Sequence, residues 1–292
     1  LEANTTASNN TAVGRLALNA NTTGAANVAV GKDALSVNTT GGNNTAVGAD
    51  ALDANNADNN TAIGKDALGA NTTGTSNVAV GAEALDANTT TNNNTALGYA
   101  ALGANTAAEN TAVGSNSLVT NTTGTKNAAL GAWSLRFNTT GDFNTAAGYQ
   151  ALGANTTADN NTAFGYNTLQ ANTTGTSNTA VGANAADAIS TGSNNTAVGQ
   201  DALTAGTTCD YNTAIGVEAL KDATTGSDNN AFGIQPQIVI VLLVLFLYSL
   251  KLMVEQRTVV LEIKLFTQTL LETVTVLLVT LLYIQIQLEP EI

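Results

Sequence analysis

Aromatic and cationic side chains suited to binding concentrate at one place in the chain. The cluster consists of Trp133, Arg136, Phe137, Phe143 and Tyr149. Aromatic rings and arginine dominate the energetics of binding surfaces. The corresponding places elsewhere in the sequence hold mostly small or polar residues. The sequence therefore predicts a surface-binding patch made of these five side chains.

The composition gives little support to catalysis. The 292 residues include no His and one Cys, which excludes a Cys/His zinc site, an intrachain disulfide and a His-based triad. No glycine-rich phosphate loop opens a helix. With 22 Asp+Glu against 9 Lys+Arg, the net charge of −13 also leaves no basic face for a phosphate backbone. We expect neither an enzyme nor a nucleic-acid binder, and neither a cofactor nor a metal ion.

Two further features of the sequence could form sites. Asp50, Asp53 and Asp58 are close in sequence, but the Gly/Asp-rich nonapeptide that binds calcium in stacked coils is absent. We expect these carboxylates to be solvated turn charges. Cys209 is a lone substitution in a turn, for which we expect no reactivity.

The elements that position these residues come from an internal repeat. The unit has the consensus Asn-Thr-Ala-Val-Gly-x-x-Ala-Leu-x-Ala-Asn-Thr-Thr-Gly-x-x, numbered here from position 1 to position 17. Two units are one residue shorter, and the loss falls in the Asn-Thr-Thr-Gly-x-x part, which marks that part as the tolerant turn. The chain begins within a unit, as a piece of a longer protein would. Position 1 falls at residues 10, 27, 44, 60, 77, 94, 110, 127, 144, 161, 178, 195, 212 and 229.

The columns of this repeat predict an all-β fold. Position 3 is always Ala, position 4 always apolar, position 5 always Gly, and position 9 is Leu except at Ala186. One unit cannot bury a core, but stacked units can, and the frequent Gly and Asn disfavour helices. We expect a parallel β-solenoid, with two short strands per coil, that forms a rod roughly 65 Å long at the usual strand spacing. Positions 4 and 9 are expected inside, and the alanines of position 3 outside, packed against neighbouring chains.

The polar columns allow three interpretations. Asn at positions 1 and 12 predicts ladders of side-chain amides that cap the turn backbone. Asn-Thr-Thr is also an acceptor pattern for glycosylation. Thr at position 2 suggests an ice-binding face, although Val28, Val78, Ala128 and Asn230 interrupt the column.

The Asn-Thr-Ala-Val-Gly-x-x-Ala-Leu units resemble the head repeats of trimeric autotransporter adhesins, which carry a similar alternating Val-Ala-Ile-Gly core. Similar repeats occur in phage tail fibres and in fibre proteins that end in an endosialidase-type chaperone. The resemblance covers residues 1–233 and implies a left-handed β-roll, with three chains side by side on a cell surface. The unit here is longer than the usual adhesin head unit because of its Asn-Thr-Thr-Gly turn.

Residues 234–292 have a different composition, rich in Leu, Val and Ile, which allows two interpretations. Residues 237–254 and 273–288 are apolar segments at the short end of the length for a membrane span. If the codons of residues 237–244 are read in a frame shifted by one base, however, they can give Asn-Ser-Asn-Ser-Thr-Thr-Gly. These are the residue types of which the repeat is composed. We favour a frameshifted continuation of the solenoid, with a membrane anchor as the alternative.

These features predict a structural and adhesive segment of an extracellular surface adhesin or fibre, acting as a stiff rod that displays its turns many times. The expected partners are further copies of the chain, as a homotrimer, and a surface receptor, matrix or glycan; a membrane is expected only if the 237–288 segment is genuine. The expected location is the surface of a cell or a virion. The alternatives are a phage tail fibre segment and an ice- or glycan-binding solenoid module.

Overall fold

One three-residue strand recurs in every unit of the repeat. In the computed structural model, which describes residues 2–234, the strands pair in parallel with their sequence neighbours and form one fourteen-stranded sheet. No helix occurs among these residues, and the prediction of an all-β parallel solenoid with about one 17-residue unit per coil is confirmed. The strands are β1 Thr11–Val13, β2 Val28–Val30, β3 Thr45–Val47, β4 Thr61–Ile63, β5 Val78–Val80, β6 Thr95–Leu97, β7 Thr111–Val113, β8 Ala128–Leu130, β9 Thr145–Ala147, β10 Thr162–Phe164, β11 Thr179–Val181, β12 Thr196–Val198, β13 Thr213–Ile215 and β14 Asn230–Phe232.

The hydrophobic tail assigned to residues 234–292 lies outside the described residues, apart from Ile234. The frameshift and membrane-anchor interpretations both concern that tail.

The pairing register is kept even where a unit is one residue short. Thr45 lies opposite Thr61 although 16 residues separate them, so the same columns continue across the short unit. The missing residue comes from the turn, because the Asn55 amide donates to the carbonyl of Ala57, two residues ahead. In a full-length unit the same bond reaches three residues ahead, as at Asn71. The prediction that this turn tolerates the length change is confirmed.

The strand side chains point opposite to our expectation. Ala at position 3 is buried, as at Ala129, whereas the apolar residue at position 4 faces outward, and Leu130 is 52% exposed. The predictions that position 4 lines the core, and that the alanine column packs against other chains, are therefore wrong. The reason is the narrow interior, which already holds Leu at position 9, a small residue at position 8 and the side chains of two columns of Asn. Close packing leaves room under the strand for only a methyl group.

Leucines at position 9 form the expected core row, but they do not lie in a second strand. Leu118 and Leu135 are fully buried, with φ of 49° and 48° in the left-handed region. The N–H of Leu118 donates to the carbonyl of Ser134 in the next coil at 3.0 Å, so the backbone is satisfied without being extended. Burying a leucine is worth about 1.5–3 kcal/mol. That gain offsets the roughly 1–2 kcal/mol that a left-handed φ costs a residue with a side chain.

The glycine at position 5 ends each strand for two reasons. Gly114 has a φ of 133°, which side-chain-bearing residues rarely adopt. A Cβ atom on it would lie 2.6 Å from the carbonyl oxygen of Gly131 in the next coil. Both the positive φ and the close approach of the next coil therefore require glycine at this position.

Two columns of buried asparagines hold the turns together. At position 1, the Asn127 Oδ1 accepts the N–H of Asn144 at 2.9 Å, and its Nδ2 donates to the Gly141 carbonyl at 2.8 Å. At position 12, the Asn138 Nδ2 donates to the Asn121 Oδ1 at 2.8 Å and to that same Gly141 carbonyl at 3.0 Å. The predicted amide ladders are confirmed. Glycosylation at Asn-Thr-Thr is disfavoured from Asn21 to Asn172, because those amides are buried, whereas Asn4 is exposed.

The ladder at position 12 ends where the sequence changes. Ile189 takes the place of Asn and Ala186 the place of Leu in the same coil, and both are buried. The Asn172 Oδ1 of the preceding coil has no hydrogen-bond partner, because Ile189 offers no donor. A larger residue at position 12 thus accompanies a smaller one at position 9, which conserves the core volume.

Candidate functional site

Stacking of the coils lines up aromatic rings at positions 6 and 7. The ring centroids of Trp133 and Tyr149 are 5.3 Å apart with planes tilted by 45°. Tyr149 in turn stacks on Tyr166 of the following coil, at 5.7 Å and 9°. Rings at such distances attract one another beyond the area they bury. Sequence reasoning missed Tyr166, although Tyr at the same position of consecutive units was a visible signal.

Arg136 lies against two of the aromatic rings. Its guanidinium carbon is 5.3 Å from the ring centroid of Trp133 and 4.8 Å from that of Phe137, within the range of cation–π attraction. In residues 2–234, the ion pairs all involve other cations. The guanidinium is therefore held by rings rather than by a carboxylate, and its N–H groups are not committed to an acidic partner in the described part of the chain.

A small cleft opens beside these side chains. It forms because Gly153 and Ala154 occupy positions 10 and 11 of one coil, while Arg136 and Gln170 occupy position 10 of the coils on either side. Its volume is about 80 Å³. Sequence reasoning missed the glutamines and the glycine, because only the stacking of three coils brings them to the aromatic residues. The lining residues are Trp133, Arg136, Phe137, Gln150, Gly153, Ala154 and Gln170.

Phe143, the fifth residue of the predicted patch, has a different neighbour. The Lys126 ammonium lies 5.1 Å from the centroid of its ring, and Lys126 stands 3.9 Å from Glu109. These three residues belong to position 17 of successive coils. Four of the five predicted residues thus lie together, namely Trp133, Arg136, Phe137 and Tyr149. Phe143 lies in another column.

Earlier coils carry carboxylates rather than aromatic rings at position 7. Asp33 lies between Lys32, at 2.7 Å, and Arg15, at 3.0 Å. The hydrogen bond from Lys32 lowers the pKa of Asp33, and burial acts in the opposite direction. Lys32 also reaches Asp50 at 3.4 Å. Because the cations are exposed, these pairs contribute little stability and mainly neutralise the surface.

The acidic residues considered for calcium have separate partners. Asp50 pairs with Lys32, Asp53 accepts a hydrogen bond from Ser36, and Asp58 accepts the N–H of Gly42 at 2.7 Å. Within residues 2–234, no group of three or more acidic or cysteine side chains is arranged to hold a metal ion.

Cys209 fills a gap in the core. A Cβ atom on Gly206 would lie 2.6 Å from its Sγ, so the thiol occupies space beside the glycine that replaces Asn at position 12. The thiol is fully buried, and burial raises its pKa. Since the thiolate is the reactive form, the environment agrees with the expected lack of reactivity.

A second candidate surface is the outer sheet face, defined as the side chains at positions 2 and 4 of the strands. Position 4 is apolar in every unit, and position 2 is Thr in ten of fourteen, so neither position carries a charge. Several position-4 residues are exposed, among them Val13, Leu130, Phe164 and Phe232. The face runs along the whole fourteen-stranded sheet.

No family model, curated protein or solved structure matches this chain. The described residues contain no helix that could cross a lipid bilayer.

Proposed function

We propose that this chain is a structural and adhesive repeat segment of an extracellular adhesin or fibre, on the surface of a cell or a virion. The solenoid acts as a stiff rod, and the chains assemble side by side as a homotrimer through the outer sheet face. The observation that carries the proposal is the uncharged, apolar column at position 4, whose residues are exposed or half-buried on a single chain.

The charge distribution supports association through this face. Residues 1–233 include 23 charged residues, and none of them stands at position 2 or 4 of the repeat. Depletion of charge is typical of the buried centre of protein interfaces, whereas an unpartnered surface is usually studded with charges. A narrow coil also has little core of its own, so association supplies further apolar burial.

The same geometry suits rod-like display. Parallel in-register strands fix the distance between successive turns, so each exposed position recurs at a constant spacing. Weak contacts made by many such positions, or by three chains at once, add through multivalency. A phage tail fibre segment would use this same geometry and differs only in the particle that carries it.

An ice-binding module is the second candidate, and one observation favours it. The threonines at position 2, such as Thr95 and Thr111, lie in register on the outer side of a regular sheet. Assembly through the outer sheet face would cover this column, so the two functions exclude one another. Thermal hysteresis in a freezing assay, together with a monomeric chain, would favour ice binding over the fibre.

Light scattering on the full chain tests the assembly. We expect the mass of a trimer for the natural sequence. The double substitution Leu97→Lys and Leu130→Lys, on exposed positions of the outer sheet face, should give a single chain with an unchanged circular dichroism spectrum. The control is Val37→Lys with Val217→Lys, two exposed apolar residues outside the strands, which should leave the trimer intact. A monomeric natural chain, or equal behaviour of the two variants, would overturn the proposal.

A further inference from the structure

We propose that the cleft beside Trp133 binds the terminal sugar of an acidic saccharide, a pyranose that carries a carboxylate. None of the residues that line the cleft lies in a strand, so the outer sheet face takes no part in it. The site is therefore independent of the proposed assembly and adds a ligand class to the rod.

The shape of the cleft selects a small ligand. Its lining combines the small residues Gly153 and Ala154 with the longer side chains of Arg136 and Gln170 on the neighbouring coils. A volume of about 80 Å³ holds several water molecules but is far below the roughly 300–1,000 Å³ of pockets for larger ligands. One terminal sugar residue, inserted by its edge, suits this size.

The side chains supply the two kinds of contact that a sugar needs. Trp133 and Phe137 offer apolar surface to the C–H groups of a pyranose, and Phe137 is 47% exposed. The side-chain amides of Gln150 and Gln170 can both donate to and accept from hydroxyl groups. Each amide stands on a coil whose backbone is fixed by the solenoid ladder, so the polar groups are positioned before the ligand arrives.

Arg136 determines the charge of the ligand. Its guanidinium is oriented by the rings of Trp133 and Phe137, at 5.3 and 4.8 Å, and it has no carboxylate partner among residues 2–234. A planar guanidinium that is stacked on rings still presents its N–H edge, which matches a carboxylate in a bidentate pair. The net charge of −13 disfavours anion binding over most of the chain. A guanidinium without a carboxylate partner among residues 2–234 can therefore attract an anionic group specifically to this cleft.

The fluorescence of Trp133 provides a direct measurement, because it is the only tryptophan in the sequence. We expect titration of the full chain with D-glucuronate to change the emission along a saturable curve with a Kd of about 1 mM, as one charge-assisted bidentate pair with stacking would give. D-glucose and sodium acetate should give no saturable change below roughly 50 mM, since each lacks one of the two groups. N-acetylneuraminate serves as a second carboxylated pyranose and shows which acidic sugar fits better.

Two substitutions with a matched control locate the site. Gly153→Gln fills the cleft and should abolish the response to D-glucuronate. Gly103→Gln, at the same position of a coil that has no aromatic residue at positions 7, 10 or 11, should leave the response unchanged. The two changes strain the backbone equally, because the added Cβ would lie 3.1 Å from the carbonyl oxygen of Gln150 and 3.2 Å from that of Ala100. Arg136→Gln should weaken binding at least tenfold.

Each outcome decides the proposal. A response to neither acidic sugar, an equal response to D-glucose, or an equal response to acetate alone would overturn it, as would full binding by the Gly153→Gln chain. The Leu97→Lys and Leu130→Lys chain should bind D-glucuronate like the natural chain. A failure of assembly and a failure of sugar binding are thereby told apart.

Discussion

Leu130 and Leu135 belong to the same coil, five residues apart, and have opposite environments: Leu130 is 52% exposed, and Leu135 is fully buried. The chain turns between them at Gly131, whose φ is 129°. The buried leucine packs in the interior with the alanines of the strands, and the exposed one stands on the outer sheet face. One apolar row thus builds the solenoid, and the other is left for contacts outside it.

Truncation of the two leucines should separate these roles. Leu135→Ala should lower the free energy of unfolding by about 2–5 kcal/mol, because it leaves a cavity in the core. Leu130→Ala should change the stability of a single chain by less than about 1 kcal/mol. Urea unfolding followed by circular dichroism at several protein concentrations checks this. The loss at Leu135 should not depend on concentration, whereas any loss at Leu130 should appear only where chains associate. Equal losses at both sites would show that position 4 supports the core.

The fold class follows from the sequence because the repeat makes each column uniform. The period fixes one unit per coil, and a column of Asn at a fixed place leaves a ladder as the simplest way to satisfy buried amides. Which strand side chains point into the core, those of position 3 or those of position 4, was not predictable in this way. Hydrophobicity alone puts the bulkier residue inside, but the width of the coil decides, and that width depends on left-handed residues such as Leu118, which no sequence marker reveals.

The candidate site was predictable only in part for a similar reason. Trp133 and Arg136 stand out because bulky residues there interrupt columns of small or polar ones. Gly153 and Gln170 matter only through their neighbours on adjacent coils, a relation that requires the register of the stack. Phe143 is near the others in sequence, yet its ring contacts Lys126, because proximity along a solenoid is set by column and not by sequence distance.

The strand-ending glycine should be intolerant of a side chain. Gly114→Ala forces a φ of 133° on a residue with a Cβ, which costs about 1–3 kcal/mol, and the contact with the Gly131 carbonyl adds to that cost. Gly69→Ala is the control, since its Cβ would lie 3.4 Å from the nearest atom, at ordinary contact distance. Thermal unfolding should show a large loss for the first and little change for the second. If Gly114→Ala unfolds like the natural chain, the coils do not approach closely enough at this position to exclude a side chain.

The exchange of residues at Ala186 and Ile189 should be coupled. Ala186→Leu alone overpacks the coil by adding volume beside Ile189, at a cost of about 1–3 kcal/mol. Ile189→Asn alone supplies a donor for the Asn172 Oδ1 but leaves a void beside Ala186. The double substitution restores the pattern of the other coils, so it should be more stable than the sum of the single effects predicts by roughly 0.5–3 kcal/mol. A double-mutant cycle from urea unfolding measures this coupling, and additive effects would contradict the proposed compensation of volume.

Asp187 should make stability depend on pH. Burial raises the pKa of its carboxyl, nearby Asp201 adds to the shift, and its Oδ1 is buried without a partner. A raised pKa in the folded chain means that the folded state binds the proton more readily than the unfolded state does. The carboxyl therefore costs stability as the pH rises from the unfolded value of about 3.9 through the higher folded value. Asp187→Asn removes the charge with little change of shape, so it should raise the melting temperature at pH 7, with a gain that shrinks toward pH 4. The exposed Asp222→Asn changes the net charge equally and serves as the control; the same pH-dependent gain in both variants would attribute the effect to net charge rather than to burial.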